Sequence, residues 1–202
     1  MDHLSNPPRH QGLSHPDLVD LPWPEADAGP TQRLLARCPR AAETPLVSAP
    51  DLAVRAGVGA LDIKDERTRM GLGSFKALGA ANVIAHHAEN GAASGRCYVT
   101  ASAGNHGLSV AAGAQAFGAR AVVYLAQTVP EAFAARLRAE GAEVRRAGET
   151  YEESMSAAEA AAVAEGGTLL SDSSWPGYVE LPHLLMAGYT ALMAEAVAQS
   201  AT

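Results

Sequence analysis

The chain has 202 residues, 48% hydrophobic and 18% charged, a globular balance that excludes a disordered or fibrous protein and allows one or two small domains. A net charge of −7 with scattered arginines argues against nucleic acid or an anionic membrane as partner and leaves a small soluble ligand. Cys38 and Cys97 are too few for a disulfide framework, and neither a signal-like N-terminus nor a bilayer-length apolar run occurs, so two free thiols and a cytoplasmic location are expected.

Residues 1 to about 30 are rich in Pro, His, Asp and Gly, for example Asn6-Pro7-Pro8 and Leu21-Pro22-Trp23-Pro24, a composition suited to a tail or wrapping arm. Thr31 to Arg37 predicts a short helix, Thr44-Pro45-Leu46-Val47 an extended segment, and Leu52 to Ala56 a helix ended by Gly57-Val58-Gly59. Ala60 to Lys64 alternates toward a strand that enters the loop Met70-Gly71-Leu72-Gly73, and Ser74 is placed to cap a helix running through His87.

Strand and helix signals then alternate. Arg96 to Thr100 predicts a strand, Ala101 to Gly107 a turn, Leu108 to Phe117 a helix, and Ala121 to Leu125 a second strand. A helix from Pro130 to Glu140, a strand over Glu143-Val144-Arg145, a helix from Tyr151 to Ala164 and a fourth strand over Thr168 to Ser171 follow. After Asp172 to Gly177 a long final helix runs from Glu180 to Gln199, interrupted early by Pro182. Strands spaced by helices imply right-handed crossovers, a parallel sheet and an α/β layer architecture.

Two stretches stand out chemically. The only lysines are Lys64 and Lys76, and Ser74-Phe75-Lys76 sets one of them after glycines at a strand-to-helix junction. A buried lysine can lose its proton and act as a nucleophilic amine, whereas arginine stays charged; an exposed helix lysine with a chance Phe neighbour fits the tripeptide as well. The second stretch, Ala101-Ser102-Ala103-Gly104-Asn105-His106-Gly107, lies between strand and helix, where helix N-termini collect anions. It lacks phosphate-loop and dinucleotide spacing, so a carboxylate suits it, and an ordinary turn with an N-cap remains the alternative. His106 alone is more often packed than ligating, and the His86-His87 pair lacks metal partners at usable spacing, so no metal is assigned.

Together, Ser74-Phe75-Lys76 and Ser102-Ala103-Gly104-Asn105-His106-Gly107 resemble the signature pair of the fold type II pyridoxal-phosphate enzymes, the family of threonine dehydratase, serine dehydratase and the tryptophan synthase β chain. Within it, Thr44-Pro45-Leu46, Lys64-Asp65-Glu66, Gly71 to Gly79, Val122-Val123-Tyr124 and above all Asp172 to Tyr178 are similar to the diaminopropionate ammonia-lyases. The resemblance covers about residue 40 to 195.

The resemblance implies a three-layer α/β fold with a parallel-sheet small domain over 76–175, a partial large domain from 34–75 and 176–202, and a tail over 1–33. It implies pyridoxal 5'-phosphate as cofactor, held through the amine of Lys76, which later takes the α-proton. Phe75 would pack near the cofactor, Asn105 would hydrogen-bond its phenolic oxygen, and Ser102, Ala103, Gly104, Asn105, His106 and Gly107 would hold the substrate carboxylate. Asp172 would act near the substrate amino group. The implied reaction is β-elimination on a small amino acid such as 2,3-diaminopropionate, giving a 2-oxo acid and ammonia, with a homodimer as the form of the full-length enzyme. Ala103 stands where the ammonia-lyases carry an Asp that serves the D-isomer and where serine racemase carries its second base, so it speaks against both and toward threonine dehydratase. Family members also continue into a glycine-rich loop for the cofactor phosphate; no Gly-x-Gly-Gly run occurs in these 202 residues, and an incomplete large domain is expected. A catalytically silent relative acting as a binding module, and a serine or threonine dehydratase, are the alternatives.

Overall fold

The computed structural model describes residues 22–200, so most of the expected tail lies outside the described residues. Residues 22–28 have no regular structure, and helix α1 spans Gly29–Leu35 with Pro30 in its first turn, two residues earlier than expected. Strand β1 (Leu46–Ser48), helix α2 (Pro50–Ala56) and strand β2 (Asp62–Lys64) follow, with Gly57 in the left-handed region (φ 68°) closing α2. β2 pairs antiparallel with β1, Val47 opposite Ile63, in a two-stranded ribbon separate from the parallel sheet that follows.

A 3-10 segment over Glu66–Gly71, broken by a kink at Arg69 and Met70, leads to helix α3 (Lys76–Glu89). Strand β3 (Cys97–Ala101), helix α4 (Asn105–Ala116), strand β4 (Arg120–Leu125), helix α5 (Glu131–Ala139), strand β5 (Glu143–Arg146), helix α6 (Tyr151–Ala164) and strand β6 (Thr168–Leu169) complete the alternating unit. The four strands form a parallel sheet in the order β5-β4-β3-β6. Both faces are covered. Tyr98, Val123 and Leu125 face Val83, Ile84, Leu108, Val110 and Leu137 from α3, α4 and α5, while Val99, Ala101, Val122 and Tyr124 face Ala158 and Ala162 of α6. Alternate residues of each strand thus enter opposite layers, which is why β4 reads as a continuous apolar run.

Other boundaries differ as well. The Asn105-His106-Gly107 segment is the first turn of α4 rather than part of the preceding turn. β6 ends at Leu169, two residues early. The final helix is two helices, α7 (Glu180–Gly188) and α8 (Thr190–Ser200), and the break falls at Tyr189. Pro182 causes no interruption, because first-turn N–H groups have no intrahelical acceptor to lose. α7 instead stops at Gly188, a poor helix former, where a Cβ would lie 2.5 Å from the Leu78 carbonyl oxygen of α3. The two backbones touch there, and Asn82 Nδ2 donates to the Leu184 carbonyl at 2.8 Å to lock the crossing. Among the described residues no helix is long and apolar enough to cross a membrane.

Candidate active site

The parallel order places the carboxyl ends of β3 and β6 side by side, the position where open α/β sheets collect ligands. From β3 the chain enters Ser102 to Gly107; from β6 it enters Ser171 and Asp172. Lys76, at the start of α3, extends its Nζ to Asp172 Oδ2 in an ion pair between residues 96 positions apart. The two predicted catalytic residues are therefore in direct contact, with the lysine side chain 34% exposed and the carboxylate 19% exposed.

Local chemistry explains how Lys76 is delivered. Met70, Gly71 and Gly73 all take positive φ (52°, 74° and 81°), so the chain reverses tightly before α3. Ser74 does not cap α3 in the expected sense: Phe75 is the N-cap residue without a side-chain cap, and Ser74 Oγ accepts from the Lys76 N–H at 3.3 Å. Phe75 is exposed and meets Tyr189 edge to face at 5.0 Å.

The asparagine loop is built around two glycines and a hydroxyl. Ser102 Oγ accepts from the Gly104 N–H at 3.2 Å. Gly104 and Asn105 are exposed and Ser102 and Ala103 partly so, and a Cβ on Gly104 would meet nothing within 4 Å. The open rim therefore consists of Ser102, Ala103, Gly104 and Asn105, above the first turn of α4 with its unpaired N–H groups. His106 and Gly107 lie beneath it, both buried.

His106 is 3% exposed, and its Nε2 donates to the Leu170 carbonyl at 2.8 Å. Among the described residues its Nδ1 has no partner. Burial pushes the imidazole down, against the pull of Asp172, so the neutral ring with its proton on Nε2 prevails near neutral pH. Burial likewise opposes the Asp172 charge, but His106 and the Lys76 ammonium outweigh it and hold the carboxyl below its usual value.

Tyr178 carries a role that motif reading left unassigned. Its hydroxyl donates to the Leu169 carbonyl and accepts from the Ser171 N–H, both at 3.0 Å, and its ring stacks on Trp175 at 4.4 Å. Leu169, Leu170 and Ser171 thus find Tyr178 and His106 side chains where a longer strand would find a neighbour. That is why β6 is short and why Asp172 leaves it in a defined direction. Tyr178→Phe keeps the stack but strands two backbone groups, and is expected to lower stability by about 1–3 kcal/mol; an unchanged urea midpoint would refute this.

Lys76 and Asp172 thus meet just beyond the end of β6, and the exposed asparagine rim follows the end of the neighbouring strand β3. A half-open amine beside a carboxylate, with a solvent-facing aromatic and an open helix N-terminus, fits a planar aldehyde cofactor bearing an anionic substrate. The comparisons with known proteins give the class. Residues 39–201 match the family model described as pyridoxal-phosphate dependent enzyme, and the chain belongs to this family, in its fold type II branch, whose cofactor is pyridoxal phosphate.

More particularly, the chain is similar to the diaminopropionate ammonia-lyase of Salmonella typhimurium, at 33% identity over 82% of this chain and 46% of that protein. The apo crystal structure of the Escherichia coli diaminopropionate ammonia lyase superposes with a TM-score of 0.79 and 29% identity, over 86% of this chain and 52% of that one. A chloroplastic biosynthetic threonine dehydratase of Solanum lycopersicum is 34% identical over 68% of this chain and 22% of its own length. The chain spans about half the length of the ammonia-lyases it matches.

Proposed function

We propose that the protein is a lyase that removes the β-substituent of a small amino acid, with 2,3-diaminopropionate as the substrate, releasing a 2-oxo acid and ammonia. The Lys76–Asp172 contact beside the asparagine loop carries this reading. In it, Lys76 holds the cofactor through its amine and takes the α-proton. Asp172, whose carboxyl is held below its usual value in the cofactor-free chain, keeps the departing amino group protonated by accepting its hydrogen bond. Asn105 hydrogen-bonds the cofactor's phenolic oxygen, Phe75 packs beside the ring, and Ser102, Ala103, Gly104 and Asn105 hold the substrate carboxylate. His106 and Gly107 support that rim from below. Pyridoxal phosphate, when bound, supplies the electron sink for the α-carbon.

Residues 76–175 serve as the small domain in this reading, with 34–75 and 176–202 as part of the cofactor domain of a cytoplasmic homodimer. The L-isomer is the substrate, since Ala103 offers no carboxylate or hydroxyl for a second base. The same Ala103 favours a second reading, a serine or threonine dehydratase, which the Asp172 to Tyr178 segment opposes. Adding pyridoxal phosphate to the purified chain should produce a visible absorption band, and 2-oxo acid release from L-2,3-diaminopropionate should exceed that from serine or threonine. A colourless protein would sink the enzyme reading and leave a binding module; faster release from serine or threonine would favour the dehydratase.

A further inference from the structure

Lys64, the second lysine, lies outside the site just described. Its side chain is 9% exposed, and Nζ donates to Glu195 Oε2 at 2.7 Å, the Thr44 carbonyl at 2.5 Å and Gln199 Oε1 at 2.9 Å. Three acceptors around one nitrogen suit an ammonium and not a planar guanidinium, which accounts for a lysine in an arginine-rich chain. Glu195 is shared with Arg69, whose side chain is 2% exposed. Arg69 Nε donates to Glu66 Oε2 at 2.7 Å; Nη1 donates to the Ala42 carbonyl at 2.8 Å and Glu195 Oε1 at 2.9 Å; Nη2 donates to Glu195 Oε2 at 2.6 Å, Glu66 Oε1 at 2.8 Å and Thr44 Oγ1 at 3.0 Å. Two cations and two carboxylates cancel in charge, and every guanidinium nitrogen is engaged.

A cluster of this kind is a poor way to gain stability, because apolar packing of equal volume commonly does as well or better. What it supplies is direction. Arg69 is bonded to the segment before β1 and to α8, and to Glu66 within its own segment, which fixes its position and orientation against two other parts of the chain. Met70 comes next, the one described residue other than glycine with positive φ, and its side chain packs with Ala77, Leu78 and Ala191. The Leu72 N–H returns to the Arg69 carbonyl at 2.9 Å. The reversal that ends at Lys76 therefore starts from a residue that cannot shift alone.

We propose that Arg69 is a positioning residue for Lys76, acting through the neutral cluster with Glu66, Glu195 and Lys64 and without touching the site. The assignment rests on the reading of Lys76 as the cofactor-bearing amine. Arg69→Lys keeps the positive charge and loses the fork. In the cofactor-free chain, amide hydrogen exchange at Leu72 and Lys76 should accelerate at least tenfold relative to the parent, with β3 and β4 amides unchanged, and the pyridoxal-phosphate band should need at least tenfold more cofactor. Unaltered exchange at Leu72 and Lys76, or an equal acceleration throughout the chain, would overturn the proposal. If the parent shows no band, the functional reading fails while the exchange measurement still decides this one. Should Arg69→Lys not fold, Glu66→Gln, which removes one carboxylate charge and keeps an acceptor, is judged by the same two outcomes.

Discussion

Lys76→Ala is expected to abolish the visible band formed with pyridoxal phosphate and to lower 2-oxo acid release by at least about 10³-fold, toward the upper end of what losing a positioned acid–base group costs. Lys64 cannot substitute, because its ammonium is buried and already donates to three acceptors. A band of parental strength in Lys76→Ala would remove the lysine from the mechanism.

The same variant has a stability signature with a definite sign. The folded-state pKa of Asp172 is depressed: burial raises it, but His106 and Lys76 outweigh burial. The stability from this group is therefore fully present above the unfolded carboxyl value, near pH 4, and is lost as pH falls through the folded value. In Lys76→Ala the amine no longer opposes burial, so the carboxyl pKa moves back up and the acid-side loss shrinks. The gap in urea midpoint between parent and variant should be wide at pH 7 and narrower at pH 3; an equal gap at both would contradict the pairing.

The second large effect concerns Gly107. A Cβ built there lies 2.4 Å from the Ser102 carbonyl oxygen and 3.2 Å from Leu137 Cδ2. Alanine would ordinarily favour a helix by about 1 kcal/mol over glycine. The obstacle is backbone, however, and overpacking of this kind costs about 1–3 kcal/mol or more. We expect Gly107→Ala to be destabilised by about 1–2 kcal/mol on balance, and its KM to rise because Ser102 must move. Gly104→Ala is the comparison: no atom lies within 4 Å of its Cβ position and φ is −112°, so stability should stay within about 0.5 kcal/mol of the parent. Equal urea midpoints for Gly107→Ala and the parent would show that the loop yields without cost.

Helices α5 and α6 were legible because their ends are written locally. Gly141 takes φ 87° just past α5, and Thr150 with Glu153 forms a capping box at the start of α6. The runs Cys97–Ala101 and Ala121–Leu125 were legible because both sheet faces are buried. The β1–β2 pairing was not, since the strands are separated by α2 and nothing local in Leu46 or Ile63 names a partner. The end of β6 was also hidden, because Tyr178 and His106 set it from outside the strand.

The site shows the same division. Lys76 and the asparagine loop announce themselves by residue type and spacing, but the Lys76–Asp172 contact exists only once β6 lies beside β3. Arg69 went unnoticed although Glu66 stands at i−3 and Glu195 is an isolated charge in the otherwise apolar stretch Ala191 to Ala198. A lone carboxylate in such a helix was the available signal.

The chain has two lysines, and the fold gives them opposite accessibility. Lys64 has a side chain 9% exposed and its donors engaged, whereas Lys76 is 34% exposed. Side-chain amine reagents therefore meet one open target, and isotopically labelled lysine yields two signals, one from the Arg69 cluster and one from the proposed reaction centre. With surface positive charge otherwise carried by arginine, lysine acetylation has little to neutralise except the amine that the proposed chemistry requires.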